Sequence, residues 1–411
     1  PRPPPPPPFS LFFTFIRAPT MSSKIRVFHY NILSEFLCSS GWFPHCVEAD
    51  TKKATRWSRL QTKLTSLLDE REDDVPPPIL ALQEVSLDFY ANILTPLCAR
   101  TGATVVGWNS GGDHGGYMGA FLVVPGPAQS PWRLVHSEVI PLTSTLSRYM
   151  PAKEKKKRWA GPSFGSLLAN LASILRQMVM LLVATVLPSA AAPATTLGGD
   201  PNADLWSRFA KRDRNVVVAA TLEHATSGAR VAVATSHFPC EFRFPELMVL
   251  SSLAASRAAS KYAASQRSVP FIFTADANIQ PDSTSYRLLL GDPLTDDDDA
   301  LLDSVNARST ATSDPFDIRA VAAATPTLAS AARSFFGSEP SFTNYAWPKV
   351  ADEAFVGTLD YLWLPVDDAR VTVHSVAPIP DDLELYSTPL PSANQPSDHL
   401  PLDGTFSIRW P

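Results

Sequence analysis

Short apolar runs that stop on a polar residue are the feature that most constrains this chain. IRVFHY (25–30) is followed by Asn31, ILALQ (79–83) by Glu84, VAVATS (231–236) by His237, and FIFTA (271–275) by Asp276 and Asn278. Asp360 lies within GTLDYLWL, and Asp398 and His399 precede the last run, TFSIRW (405–410). Runs of this length, rich in β-branched and aromatic residues, read as buried strands. A rigid strand end is where convergent polar groups are built.

The intervening segments supply helices. Leucines at 60, 64, 67 and 68 have helical spacing over Arg59–Leu68, Leu87–Cys98 reads as a second helix, and Pro245–Gln266 as a long alanine- and leucine-rich one. Further strands are expected over 120–124 and 215–223. Strands in groups with helices between them predict packed layers, two sheets with helices outside. The chain has 411 residues, 45% hydrophobic and 18% charged, a balance that excludes wholesale disorder. Its formal net charge of −5 argues against a nucleic-acid binder held by bulk charge but leaves room for a local basic groove. Four dispersed cysteines without a C-x-x-C pair exclude a zinc ribbon or disulfide scaffold and favour a reducing compartment. The cytoplasm is expected first, with mitochondrion or nucleus as alternatives.

Four segments stand apart. Residues 1–23, with six consecutive prolines, read as a disordered Pro-rich leader, and the catalytic domain is expected over 24–411. The stretch 142–212 reads as an insertion. Within it, KEKKKR (153–158) precedes a mostly apolar 164–187 whose central Arg176 opposes a membrane span. A packed or mobile inserted helix is the expectation, with a membrane-surface helix as the alternative. Asp296–Asp299 is expected to be a solvated loop rather than a metal site. His114, in GGDHGGYMG, is expected in a glycine turn before a strand.

The polar strand-end residues share one chemistry. Carboxylate and amide oxygens are hard ligands suited to Mg²⁺, with Mn²⁺ as a substitute, while imidazoles and amides offer donors to a phosphate. An Asp that meets a His can fix its tautomer. The set makes a kit for metal-assisted phosphoester hydrolysis. No G-x-x-x-x-G-K-[ST], H-E-x-x-H or G-x-S-x-G occurs to suggest another.

The blocks HYNILS (29–34), LQEVS (82–86), SHFP (236–239), TADANIQPDSTSYRLL (274–289), EPSFTNYAWPKVADEAFVGTLDYLWL (339–364) and QPSDHLPL (395–402) stand in an order that resembles the endonuclease/exonuclease/phosphatase superfamily. Within it they resemble the deadenylase branch, which includes the Ccr4–Not catalytic subunit, nocturnin, Angel and the 2′,5′-phosphodiesterase. The resemblance covers about 25–411 except 142–212. It implies an α/β fold, a two-sheet, four-layer sandwich. It also implies a Mg²⁺-dependent 3′→5′ exoribonuclease acting on single-stranded RNA, poly(A) tails above all. Glu84 then resembles the principal metal ligand, with Asn31 and Asp398 as further metal or phosphate contacts. Asp276 resembles the group that orients or deprotonates water, Asn278 a phosphate holder and His237 a transition-state stabiliser. His399 resembles a phosphate-contacting imidazole oriented by Asp360. Phe242, Phe355 and Asn344 are carried over as substrate contacts, the two rings as a base sandwich.

Two departures matter. Ala275 replaces the family's usual Gly before the central Asp, and Phe242 occupies the offset of a proline that helps hold a terminal adenine. Hydrolysis of 2′,5′-oligoadenylate, of a nucleotide phosphate or of a terminal cyclic phosphate needs the same residues. A non-enzymatic scaffold on a decayed hydrolase fold is the remaining alternative, opposed by the intact polar set. No leucine-rich adaptor-binding repeat precedes the domain, so assembly through such a module is not expected.

Overall fold

The computed structural model describes residues 21–70, 75–109, 119–150, 204–212, 214–309, 316–379, 386 and 388–410. Two six-stranded sheets stack face to face. The first has the order β13-β14-β1-β2-β4-β3. Its strands are β1 (Met21–Asn31), β2 (Ile79–Gln83), β3 (Thr104–Trp108), β4 (Ala120–Val124), β13 (Val371–Val376) and β14 (Leu402–Trp410). The second has the order β5-β6-β7-β8-β12-β9. It contains β5 (Trp132–Pro141), β6 (Val216–His224), β7 (Arg230–His237), β8 (Phe271–Asp276), β9 (Leu328–Ser330) and β12 (Asp360–Pro365). A separate hairpin pairs β10 (Asn344–Ala346) with β11 (Phe355–Gly357).

Period-two alternation decides which side chain goes where. Ile25 and Val27 of β1, Ile79 and Ala81 of β2, Val231 and Val233 of β7, Ile272 of β8 and Leu362 of β12 fill the space between the sheets. Phe28, Tyr30, Leu80 and Leu82 point the other way, onto Leu60, Leu64 and Leu68 of the helix Lys53–Asp69. On the far side, Ala232, Ala234, Phe271, Phe273, Tyr361 and Trp363 meet the helix Pro245–Ser265. The layers are therefore helix, sheet, sheet, helix, as expected.

Several boundaries differ from the expectation. β1 begins at Met21, three residues before Lys24, because Met21–Ser23 continue the antiparallel ladder with Trp410–Ile408. The ends of 142–212 belong to the core: Leu142, Leu146, Met150, Leu205, Trp206 and Phe209 are buried in the cluster around Pro245–Ser265. Asp296–Asp299 is not a loop but the first turn of the helix Asp296–Ala307, where carboxylates face the positive helix end. Thr295 and Asp298 form its capping box, and buried Asp298 also pairs with Arg287 at 2.9 Å. The expected Leu87–Cys98 helix runs through a π-helical segment, Tyr90–Leu94, between two α-helical pieces. Residues 1–20, the 153–158 and 164–187 segments and His114 lie outside the described residues. Among the described residues no helix is long and apolar enough to cross a membrane.

Candidate active site

The inter-sheet layer changes from apolar to polar along the strands. Past the Ile/Val/Leu core, Gln83 donates to Thr235 Oγ1 across the sheets at 2.8 Å, and Thr274 donates to the same hydroxyl at 3.0 Å. Register then aligns the next residues: His237 pairs with Asp276 on the parallel neighbour, and Asp276 with Asp360 on the antiparallel one. These three stand side by side across β7, β8 and β12. Asn31 of β1 reaches them from the opposite sheet.

Asn31 is the hub. Its Nδ2 donates to Asp276 Oδ2 at 2.8 Å and Glu84 Oε1 at 3.1 Å, and its Oδ1 accepts from the Leu33 amide at 2.9 Å. Glu84 Oε2 accepts from the Ser34 amide at 2.9 Å. His237 Nε2 lies 3.3 Å from Asp276 Oδ2, and His399 Nε2 lies 3.8 Å from the same oxygen. Asn278 follows Asp276 by two, its amide donating to Asp276 Oδ1 and its Nδ2 to the Phe238 carbonyl at 3.1 Å.

Asp360 is buried and saturated with donors. Its Oδ2 meets His399 Nδ1 at 2.8 Å and accepts from Thr343 Oγ1 at 2.7 Å, while its Oδ1 meets His29 Nε2 at 2.8 Å. Burial opposes the charged form, but the His399 and His29 imidazoles outweigh it and hold the Asp360 carboxyl well below the usual range. Burial likewise opposes protonated His399, yet the carboxylates of Asp360 and Asp276 raise it well above an ordinary histidine. His399 thus carries one N–H fixed on Asp360 and a second directed at the Asp276 side.

His29 went unassigned in the sequence reading. It is fully buried, and its Nδ1 has no partner among the described residues. The signal was available: 25, 27, 29 and 31 share one face of β1, so the residue two before Asn31 must enter the same cleft. It was masked by its position inside an apolar run.

Asp276, Asp360 and His399 place ligand atoms within 4.8 Å of one another. Asp360 Oδ2, however, takes two donors and its Oδ1 a buried imidazole, which suits an orienting group, whereas each Glu84 oxygen takes a single donor among the described residues and keeps a lone pair for an ion. Glu84 and Asp398 fit a hard cation better. Burial pushes the Asp398 carboxyl up and the like charge of Glu84 adds to this, with His399 and Arg56 opposing. A buried carboxylate whose ionisation is opposed by burial and by a neighbouring carboxylate is part of a donor set a divalent cation would relieve.

The substrate contacts carried over from the resemblance are only partly gathered. Buried Asn344 pairs its backbone with His399, and Tyr345 donates to the Asp398 carbonyl at 2.9 Å, so β10 braces the catalytic loop. Phe242 is 70% exposed and Phe355 36%.

No family model matches the chain, and a search of curated proteins finds no match. Solved structures do match. ANGEL2, a 2′,3′-cyclic phosphatase, in complex with adenosine-2′,3′-vanadate, superposes at TM-score 0.59 with 15% identity, covering 94% of this chain and 96% of that one. The human nocturnin catalytic domain with bound sulfate superposes at TM-score 0.52 with 17% identity, covering 95% and 97%. At such identities the likeness establishes architecture: this chain has the two-sheet α/β sandwich fold seen in the ANGEL2 and nocturnin structures.

Proposed function

We propose that this chain is a divalent-metal-dependent phosphoesterase that hydrolyses single-stranded RNA from its 3′ end, with poly(A)-like tails as the first substrate to test. The observation that carries the reading is the convergence, from both sheets, of Asn31, Glu84, His237, Asp276, Asp360 and His399 on one polar cleft. Glu84 and Asp398, with Asn31 beside them, would hold Mg²⁺ or Mn²⁺. Bound there, the ion supplies charge neutralisation at the phosphoryl group.

The chain's own residues divide the remaining work. Asp276 accepts a proton from the attacking water; the Asn31 amide and His237 imidazole orient its carboxylate. His399, kept protonated by Asp360, donates from Nε2 to a phosphoryl oxygen as negative charge develops there. Such placed donors in a water-poor cleft usually contribute the largest share of rate enhancement. Asn278 directs its remaining amide N–H to the phosphate.

Hydrolysis of a terminal cyclic phosphate is the second reading. It is supported by the likeness to ANGEL2, a 2′,3′-cyclic phosphatase, and it needs no two-sided base clamp. The test is a substrate panel with Mg²⁺: RNA ending in A, U or C runs with a free 3′-hydroxyl, the same RNA with a 2′,3′-cyclic end, and 2′,5′-linked adenylate. Stepwise shortening of 3′-hydroxyl RNA that disappears in Asp276→Asn supports the proposal. Opening of the cyclic end without shortening selects the second reading, and inactivity on every substrate overturns both.

A further inference from the structure

The chain as a whole is acidic, but one rim of the cleft is not. Segments 208–214 and 238–244 together carry five cations, Arg208, Lys211, Arg212, Arg214 and Arg243, against two acids. One of these acids, Glu241, is paired with Arg212; the other, Asp213, lies outside the described residues. The two segments adjoin because they extend the antiparallel β6–β7 pair, in which Val217 faces Ser236. Asn215 Nδ2 donates to the His237 carbonyl at 2.8 Å, so the first segment begins one residue from a site imidazole. The second starts at Phe238, whose amide donates to the Asp276 carbonyl and whose own carbonyl holds Asn278.

Lys211, Arg214 and Arg243 are exposed and have no ion-pair partner among the described residues. Exposed Phe242 belongs to the second segment, with the Arg243 guanidinium 5.7 Å from its ring centroid. Below them Arg208 stacks on Phe244 at 3.9 Å, and the Arg212–Glu241 pair ties one segment to the other. Exposed cations with no ion-pair partner among the described residues, beside an exposed aromatic and on a braced base continuous with a phosphate-handling cleft, match the combination that single-stranded nucleic acid requires: backbone neutralisation with a stacking surface.

We propose that Lys211, Arg214 and Arg243, with Phe242, form a track for the sugar-phosphate chain beyond the nucleotide held in the cleft. This rests on the RNA reading above and deepens it: the track gives the protein a preference for long chains over mononucleotides and small cyclic phosphates. Phosphate contacts of this kind position a strand without reading its sequence.

The test is equilibrium binding of a fluorescent 12-nucleotide RNA and of a dinucleotide to full-length protein across a salt series, comparing wild type with Lys211→Gln/Arg214→Gln/Arg243→Gln. At low salt the triple variant is expected to lose at least ~10-fold in affinity for the 12-mer. Its log K against log salt slope should flatten by about 2, at roughly 0.7 per phosphate contact. Dinucleotide affinity and hydrolysis of bis(p-nitrophenyl) phosphate should stay within about twofold. A charge-keeping Arg214→Lys/Arg243→Lys variant should retain the slope, because the contact is with charge rather than with a bidentate fork. Unchanged 12-mer binding in the triple variant, an equal loss for the dinucleotide, or binding to anionic vesicles but not RNA would each overturn the track. If wild type binds the 12-mer through these residues but never cleaves RNA, the track stands and the exoribonuclease reading fails. Cleavage without any contribution from the three cations gives the converse.

Discussion

Replacing His29 with Leu isolates what the second imidazole does for Asp360. Oδ2 of this carboxylate keeps His399 and Thr343, but among the described residues His29 is the only side-chain donor on Oδ1. Leucine is apolar and of similar bulk, so the site stays filled while one oxygen of a buried charge loses its partner. Leaving such an acceptor unsatisfied costs about 1–3 kcal/mol. Part of that loss should appear as stability, read from urea midpoints. The rest should appear as freedom of the Asp360 carboxylate to rotate, which misdirects the His399 Nε2–H. With about half of that loss falling on the reaction, at about 1.4 kcal/mol per decade of rate, kcat should fall roughly 2- to 10-fold while KM changes little. His29→Gln should restore most of the rate, since the glutamine amide can occupy the place of Nε2. Gln replaces the unpartnered buried Nδ1 with an amide oxygen, so its stability should lie at or somewhat below wild type and above the Leu variant. Wild-type kcat in His29→Leu would show that Asp360 needs no second imidazole. Equal losses in the Gln and Leu variants would show that His29 matters only as packing.

Glu84→Ala should abolish nearly all metal-supported turnover, yet leave thermal melting unchanged or raised, because a carboxylate held beside Asp398 is retained at a cost to stability; full activity in Mg²⁺ would refute its role. Asp276→Asn should lower turnover about 10²–10⁴-fold with RNA still bound, and a parallel loss of binding in a gel-shift assay would make Asp276 a ligand rather than a base. The His399–Asp360 pair sets a stability window. The raised His399 pKa contributes stability that is complete below the unfolded histidine value of about 6.5 and lost as pH rises through its folded value; the lowered Asp360 pKa contributes stability present above about 3.9 and lost as pH falls. Asp360→Asn should therefore move the alkaline limb of the activity profile to lower pH, and an unmoved limb would exclude the pair as its origin.

The layers and most of the site were legible because both rest on alternation. A buried run such as ILALQ must be a strand, and a polar residue at its end must sit at the rim of the core. Edge strands were less legible. β5 (WRLVHSEVIP) is half solvated, so its polar residues hide the period; β3 and β13 also lie at sheet edges. The aspartate run misled because charge density suggests solvation, whereas the information lay in Thr295 three residues before Asp298, a capping spacing. His29 was hidden for the opposite reason, an imidazole inside an apolar word. The Phe242–Phe355 sandwich came from offsets in a family pattern, and an offset in a loop fixes neither direction nor distance.

The same cleft shows why its residues need so much support. Among the described residues five non-glycine positions have positive φ, and three of them, Leu33 (52°), Glu84 (56°) and Asn278 (50°), belong to the site or to the loop that carries it. Each costs on the order of 1–3 kcal/mol and persists only where surrounding bonds determine it. Those bonds are present. Leu33 is tied through its amide to Asn31 Oδ1, and the Ser34 amide and the Asn31 side chain fix the two oxygens of Glu84. Asn278 is held from both ends by Asp276 and Phe238. Beneath the first loop lies Arg56, fully buried, whose Nε donates to the Pro396 carbonyl at 2.6 Å and whose Nη2 donates to the carbonyls of Ile32, at 2.7 Å, and Leu33. One guanidinium thereby joins the segment after Asn31 to the segment before Asp398 and His399, and its charge opposes the raised pKa of Asp398. Lysine cannot reproduce that link, because a single ammonium lacks the planar fork that reaches carbonyls on two loops at once. The polar cleft is thus strained at Glu84 and Asn278, two of the residues that would do chemistry, and it is kept in place by contacts from elements whose own stability comes from the apolar layers on either side.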